Sequence, residues 1–270
     1  MPFYFLVVLA LVQGITEFLP ISSSGHLVLT HSLLGGQSMD LCWSENRMID
    51  VAVHVGTLAS VLIYYRADVL EMLLGFFRRG AKGQKMSIHL IVASIPAVVI
   101  GYTIYKIEPS FVCLVSVMAW MTLIFGVVLW VADKYFTGTK SLEKMGMKDA
   151  ILIGLAQALA LVPGTSRSGI TMTAALFLGY SRKEAAHFSL LLAIIAISGA
   201  GLLTGIDLVQ SGDLVLGADV LVAILFTFAA SYVAIMLMMK WLENRSFTPF
   251  AIYRVILGLV LLGLIYGGVL

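Results

Sequence analysis

Apolar residues run along the chain in long blocks that short polar stretches separate. Six of these blocks are about 20 residues long, the length that an α-helix needs to cross the hydrocarbon core of a bilayer. The pattern therefore predicts six transmembrane helices. They lie at about 49–65, 88–105, 113–132, 188–209, 220–242 and 250–269.

Two further apolar segments, 3–34 and 150–180, are interrupted by proline, serine and glycine. Their arms are about 11–17 residues long, mostly too short to span a bilayer. Irregular backbone at membrane depth is tolerated only where protein or a water-filled cavity receives it. Each segment is therefore predicted to form a re-entrant hairpin.

The two broken segments resemble each other. When Gln13 is placed on Gln157 without gaps, Ser22, Ser24 and Gly25 of the first break coincide with Ser166, Ser168 and Gly169 of the second. Each broken segment precedes three predicted spans, which divides one integral membrane domain into repeat one, about 1–135, and repeat two, about 148–270. Because three is odd, the second repeat is predicted to lie upside down. The sequence predicts an all-α polytopic membrane protein with two inverted-topology repeats, each a re-entrant helical hairpin plus three transmembrane helices.

Composition supports a membrane location. Hydrophobic residues make up 60% of the 270 residues and charged residues 12%, about half the charged share of a soluble domain. A soluble enzyme and a nucleic-acid binder are therefore excluded.

Basic residues are distributed unequally between the two sides of the predicted topology. Thirteen lie on one side, whereas only Arg47 and Lys106 lie on the other. The positive-inside rule makes the rich side cytoplasmic, so the first hairpin enters from outside and the second from the cytoplasm. The thirteen comprise, in loop 66–87, Arg66, Arg78, Arg79, Lys82 and Lys85, and elsewhere Lys134, Lys140, Lys144, Lys148, Arg182, Lys183, Lys240 and Arg245.

Few ionisable groups remain at membrane depth. Glu17, His26 and Arg167 all lie at or beside the two breaks. Burying such groups costs several kcal/mol, so they are read as functional. A simple Glu–Arg pair that ties the repeats together is the structural alternative. Arg254 lies one turn into its span and is predicted to snorkel to the cytoplasmic interface.

Hydroxyl residues precede a predicted helix in both breaks. They favour helix N-termini, where free backbone N–H groups bind anions, and the planar fork of Arg167 suits phosphate oxygens. Ser23 and His26 are three residues apart, which would let the imidazole activate the serine as a nucleophile. Glu17 would orient His26 or hold a divalent cation. The hydroxyls are Ser22, Ser23 and Ser24 in the first break and Thr165, Ser166 and Ser168 in the second.

Two motifs, QGITEFLPISSSGH and PGTSRSGIT, resemble the signatures of the undecaprenyl pyrophosphate phosphatase family, also called bacitracin-resistance proteins. The resemblance covers nearly the whole chain, including FTPFAIYR near its end. It implies hydrolysis of undecaprenyl diphosphate to undecaprenyl phosphate and inorganic phosphate, which recycles the lipid carrier of cell-wall synthesis. It also implies a multi-pass protein of the bacterial cytoplasmic membrane.

The resemblance assigns roles to residues of both motifs. It implies a functional serine, histidine and arginine at Ser23, His26 and Arg167, and a bound Mg²⁺ or Ca²⁺ between Glu17 and the diphosphate. The first motif of the family has glutamate or glutamine at the position of Gln13, so the glutamine here leaves acid–base and metal roles to Glu17. The expected substrate contacts are Gln13, Ser22, Ser24, Gly164, Ser166, Ser168, Gly169 and Thr171.

The sequence leaves several alternatives open. Inverted repeats with broken helices are typical of transporters, so a lipid flippase or an anion transporter is the rival to a phosphatase. The residues also do not decide between Ser22 and Ser23 as nucleophile, or between a covalent phosphoserine and direct attack by water. The expected partners are a polyprenyl diphosphate and membrane lipid, and a homodimer is left open.

Overall fold

The structure is a computed structural model that describes residues 3–35, 47–76, 82–107, 109–211 and 217–269. Within these ranges the fold is all-α, with one isolated bridge between Lys140 and Tyr180. The helices are α1 Phe3–Thr16, α2 Ser23–Thr30, α3 Arg47–Tyr64, α4 Arg66–Phe76, α5 Lys82–Ile107, α6 Val115–Tyr135, α7 Met147–Ala158, α8 Arg167–Phe177, α9 Arg182–Ser211, α10 Ala218–Trp241 and α11 Thr248–Tyr266. A π-helical turn, His31–Gly35, extends α2, and short 3₁₀ turns lie at Ser110–Cys113, Leu142–Lys144 and Leu159–Leu161.

Five helices, α5, α6, α9, α10 and α11, are long and apolar enough to cross a bilayer. The predicted all-α polytopic class is therefore confirmed, and the chain is a multi-pass membrane protein. The remaining predicted span, 49–65, corresponds to α3. Its apolar stretch, Val51–Tyr64, is shorter than the five spanning helices. Large apolar side chains such as Val98, Leu225 and Leu259 are more than half exposed, as lipid-facing residues must be.

Both broken segments are helical hairpins, as predicted. In the first, α1 ends at Thr16 and a turn containing Pro20 leads to α2. In the second, α7 and a 3₁₀ turn end before Pro163 and α8 begins at Arg167. Proline lacks the N–H that would continue a helix, which explains why both helices break at these places.

The polar stretch 66–87 is not a loop, and that prediction was wrong. It contains α4 and the first turns of α5, which pack on each other. Leu70, Leu73 and Leu74 on α4 are more than half exposed, so the short helix has an apolar face. Because this stretch is rich in charged residues, the sequence analysis missed α4, which is too short to span a bilayer. Arg78 and Arg79 lie outside the described residues.

The helices pack in corresponding pairs. Helix α1 packs on α10, and α7 packs on α5. The third spans of the two halves, α6 and α11, pack on each other, and so do the first spans, α3 and α9. Matched pairings of this kind are expected of two repeats related by a twofold axis, although α3 packs on α10 far more extensively than its counterpart α9 packs on α5. The inverted topology and the repeat bounds at 135 and 148 stay predictions, which the pairings support.

Helix α9 is the most enclosed of the long helices, because half of its apolar stretch is buried. Its buried residues, including Phe188 and Leu191, join one core with Phe18 of the first break and Met172 of α8. This packing brings the two breaks together in the middle of the molecule.

Candidate active site

The two breaks have the same unusual backbone. Ser22 and Ser166, which the repeat alignment pairs, have φ of 71° and 67°. Non-glycine residues rarely adopt positive φ, and such strain clusters at functional sites. In each break the residue that follows begins a helix, so Ser23 begins α2 and Arg167 begins α8.

The second break donates two hydrogen bonds to the first. The Gly164 N–H donates to Ser24 Oγ at 3.1 Å, and Ser168 Oγ–H donates to the Leu19 carbonyl at 3.0 Å. Ser24 and Ser168 occupy matching places in the repeat alignment. The two bonds fix the N-termini of α2 and α8 beside each other.

The predicted acidic and basic groups also meet. Arg167 Nη2 lies 3.1 Å from Glu17 Oε1, and Gln13 Nε2 donates to Glu17 Oε2 at 2.9 Å. The Glu17 and Arg167 side chains are 12% and 15% exposed, so the pair is shielded but still reachable. A residual opening at such a pair is what a small charged substrate group needs.

The accessible side chains are a subset of the predicted site. Glu17, Ser23, Ser24, His26, Ser166 and Arg167 are partly exposed. By contrast, Gln13, Ser22, Ser168 and Thr171 are at most 2% exposed, and Gly164 and Gly169 are buried. Their direct contact with a substrate stays a prediction. In the structure these buried residues support the partly exposed residues of the site.

Several residues of the predicted site have visible structural roles. Thr171 Oγ1 donates to the Arg167 carbonyl at 2.8 Å and pairs with Ser189 Oγ at 2.7 Å. Ser166 Oγ caps α8 by accepting from the Gly169 N–H at 3.2 Å. Gly164 has φ of 90°, and a Cβ there would meet the Met118 carbonyl oxygen, so only glycine fits.

His26 does not pair with Ser23 in this structure. Its Nδ1 lies 2.7 Å from the Ser22 carbonyl oxygen, and its Nε2 lies 2.7 Å from the Tyr253 hydroxyl. The three-residue spacing predicts proximity on the helix but not the side-chain direction. Tyr253, which the sequence analysis did not single out, is therefore part of the site, and FTPFAIYR was the signal that pointed to it.

Arg254 does not snorkel, and that prediction was wrong. Its side chain is 0% exposed, and its guanidinium donates to the Gly164 and Thr165 carbonyls, both at 2.9 Å, and to the Thr122 carbonyl at 3.3 Å. Three carbonyl oxygens therefore hold the guanidinium group of Arg254 inside the protein. Sequence position alone could not show that the second break turns its carbonyls toward α11.

The oxygen donors at the first break suit a hard divalent cation. Among the described residues, no group of three or more His, Cys, Asp or Glu side chains forms a metal cluster. However, the buried Gln13 Oε1 has no hydrogen-bond partner and belongs to the amide that contacts Glu17. One carboxylate, one amide oxygen and substrate phosphate oxygens form the kind of ligand set that Mg²⁺ uses.

Fold and site together define a class. The chain is a multi-pass membrane protein in which two broken helices hold a carboxylate, an arginine, a histidine and serines inside the helical bundle. Helix N-termini, hydroxyls and arginine are the groups that bind phosphate.

Comparisons with known proteins identify the family. The family described as "Bacitracin resistance protein BacA" matches residues 6–260, and the chain belongs to that family. A relative from Ruegeria sp., named "Undecaprenyl-diphosphatase", is 44% identical over 99% of this chain and 100% of its own. Relatives with the same name from Alteromonas mediterranea and Hahella chejuensis are 44% and 43% identical, over 98% and 97% of this chain and 100% and 97% of their own. The resemblance read from the two motifs is confirmed.

Proposed function

We propose that this chain is a membrane phosphatase that hydrolyses undecaprenyl diphosphate to undecaprenyl phosphate and inorganic phosphate. Its product would re-enter the lipid-carrier cycle of cell-wall synthesis, which links the activity to bacitracin resistance. The observation that carries this proposal is the Glu17–Arg167 pair at 3.1 Å where the two breaks meet, together with the accessible Ser23 at the first position of α2.

Phosphate binding falls to Arg167 and the N-terminus of α2. The guanidinium has five N–H donors, and only Nη2 is used on Glu17, while Nη1 makes a long 3.5 Å contact with the Ser189 carbonyl. Donors therefore remain for phosphate oxygens. The dipole of α2 adds positive potential at Ser23.

Ser23 is the best placed nucleophile. Its side chain is partly exposed, whereas Ser22 is 1% exposed and its Oγ lies 3.2 Å from Ser24 Oγ. In the proposed step, Ser23 Oγ bonds to the distal phosphorus, and the bond from that phosphorus to the bridging oxygen breaks. Undecaprenyl phosphate leaves, the serine proton passes to a base, and water then releases inorganic phosphate. His26 is the candidate base, and to act it must first release the Tyr253 hydroxyl from Nε2. Arg167 stabilises the charge that develops on the phosphoryl oxygens.

Glu17 and Gln13 would hold the expected Mg²⁺ or Ca²⁺. When bound, the cation would neutralise charge on the diphosphate. Gln13 contributes a neutral oxygen where a glutamate would contribute a charge, so Glu17 supplies the only carboxylate of this pair.

An apolar cavity of about 570 Å³ adjoins the first break and suits the substrate tail. It begins at Leu19, two residues after Glu17, and is open toward the lipid-facing surface of α1 and α10. A diphosphate at Glu17 and Arg167 could therefore place part of its polyprenyl chain here. The other lining residues are Leu11, Ile15, Ala229, Ala230, Val233, Ala234, Leu237, Met238, Trp241 and Phe250.

A lipid flippase or an anion transporter is the rival function, because paired broken helices are typical of transporters. Transport needs the anion donors but no nucleophile. Two accessible groups, Ser23 at the start of α2 and Arg167 at the start of α8, favour hydrolysis.

The proposal is tested by phosphate release from a polyprenyl diphosphate with purified protein. We expect release with Mg²⁺ or Ca²⁺, loss with a chelator, and recovery when the cation is restored. A Glu17→Gln variant should bind the cation more weakly and need a higher concentration of it. Purified wild-type protein that binds the lipid but releases no phosphate at any cation concentration would favour the rival.

We also propose that the site faces the outside of the cell, because the side of the membrane rich in basic residues is the cytoplasmic one. In a chain with Cys42 and Cys113 replaced by alanine, a cysteine at Asp219 should react with an impermeant thiol reagent applied outside the cell. A cysteine at Lys148 should react only after the membrane is permeabilised. Both positions are exposed, so local burial does not complicate the comparison. The reverse pattern would place the site on the cytoplasmic side.

A further inference from the structure

Helix α11 contacts both breaks through two adjacent residues. The Tyr253 hydroxyl lies 2.7 Å from His26 of the first break, and Arg254 Nη2 lies 2.9 Å from the carbonyls of Gly164 and Thr165 in the second. Neighbouring side chains on a helix diverge by about 100°. One rigid helix therefore reaches both hairpins from a single place.

The contact with the first break has a defined direction. The Ser22 carbonyl can only accept, so His26 Nδ1 carries the hydrogen of their 2.7 Å bond. In a neutral imidazole the other nitrogen then has the lone pair, and the Tyr253 hydroxyl donates to it. The two rings are also stacked, 5.5 Å apart and tilted by 8°.

This chain of bonds ends at the strained residue that precedes the nucleophile. Tyr253 fixes the His26 ring, and His26 holds the carbonyl of Ser22, whose φ is 71°. The orientation of that peptide sets where Ser23 begins α2.

The contact with the second break is a buried cation on carbonyl oxygens. Burying an unpaired charge is costly unless hydrogen bonds compensate. Three carbonyl oxygens accept from Nε and Nη2 of Arg254, whereas its Nη1 has no hydrogen-bond partner. Two of the carbonyls come immediately before Ser166, whose φ is 67° and which precedes Arg167. Arg254 Nη1 also fills the space beside Gly169.

We propose that Tyr253 and Arg254 form a clamp that positions Ser23 and Arg167 against each other. Tyr253 acts through His26, and Arg254 acts through the carbonyls of the second break. Both are positioning residues. The inference rests on the proposed phosphatase function for its effect on turnover but not for its effect on the backbone.

The first test measures turnover. Tyr253→Phe keeps the ring and removes the hydroxyl, and Arg254→Lys keeps the charge and loses the fork. We expect kcat to fall about tenfold and about a hundredfold respectively, because small displacements of reacting groups have effects of this size, while KM changes little because the tail cavity is intact. Tyr253→Phe should have no further effect in a His26→Gln background.

The matched control is Tyr266→Phe, which removes the same hydroxyl from an exposed position near the other end of α11. It should leave kcat and KM unchanged. Wild-type turnover in Tyr253→Phe, or a raised KM with normal kcat in both clamp variants, would overturn the clamp. Inactive wild-type protein would instead count against the phosphatase function.

The second test does not depend on activity. Amide hydrogen exchange should rise more in residues 18–26 than in residues 162–170 for Tyr253→Phe, and the reverse is expected for Arg254→Lys. The Gly164 amide is left out of the comparison because it bonds Ser24 Oγ across the two breaks. An equal rise in both breaks for each variant, or no rise at all, would contradict two separate contacts on one helix.

Discussion

Arg167→Lys is expected to lower kcat for phosphate release by about a hundredfold or more, while the protein still inserts and folds. The arginine has two tasks: Nη2 pairs with Glu17 at 3.1 Å, and its remaining donors are available to phosphate. A lysine has one nitrogen on a flexible stem, so it would have to leave Glu17 to reach the substrate. The measurement is kcat and KM for a polyprenyl diphosphate.

The matched control is Arg245→Lys, the same change at an exposed residue after α10, where the guanidinium lies 5.9 Å from the Trp241 ring. It should be neutral within a factor of two or so, because exposed surface changes have small effects. Near-normal turnover in Arg167→Lys would show that a positive charge alone suffices. It would contradict the proposal that the forked guanidinium is needed to bind phosphate.

The sequence predicted the hairpins because their determinants are local. Short apolar arms, Pro20 and Pro163, and serines at the helix starts are all visible in the printed chain. The meeting of Glu17 with Arg167 had been given only as the structural alternative, a pair that ties the two repeats together. The preferred interpretation assigned Glu17 to His26 or to a cation, although lone charges at membrane depth need partners.

Contacts between distant segments could not be predicted in the same way. The His26–Tyr253 bond joins residues 227 positions apart, and the direction of the imidazole depends on the strained carbonyl of Ser22. Arg254 looked like an interfacial anchor because its span starts nearby. Its true surroundings depend on how the second break folds against α11.

Ser23→Ala is expected to lower phosphate release by about a hundredfold or more, whereas Ser22→Ala and Ser24→Ala should cost less than about tenfold. Ser22 is buried and holds a weak contact, and Ser24 accepts one hydrogen bond from the Gly164 N–H at 3.1 Å. Losing a single such bond costs about 0.5–1.5 kcal/mol. Equal losses at Ser22 and Ser23 would mean that the region tolerates no change and would remove the case for Ser23 as nucleophile.

His26→Gln separates the roles of the histidine. If His26 takes the serine proton or holds the Ser22 carbonyl that positions Ser23, its loss matters only while Ser23 is present. The Ser23→Ala/His26→Gln double variant should then release phosphate almost as fast as the slower single variant, because residues that act as a unit are non-additive. The measurement is phosphate release by both single variants and the double variant under one set of conditions. A double variant that loses the product of the two single effects would make the serine and the histidine independent, and direct attack by water on the phosphorus would become the better mechanism.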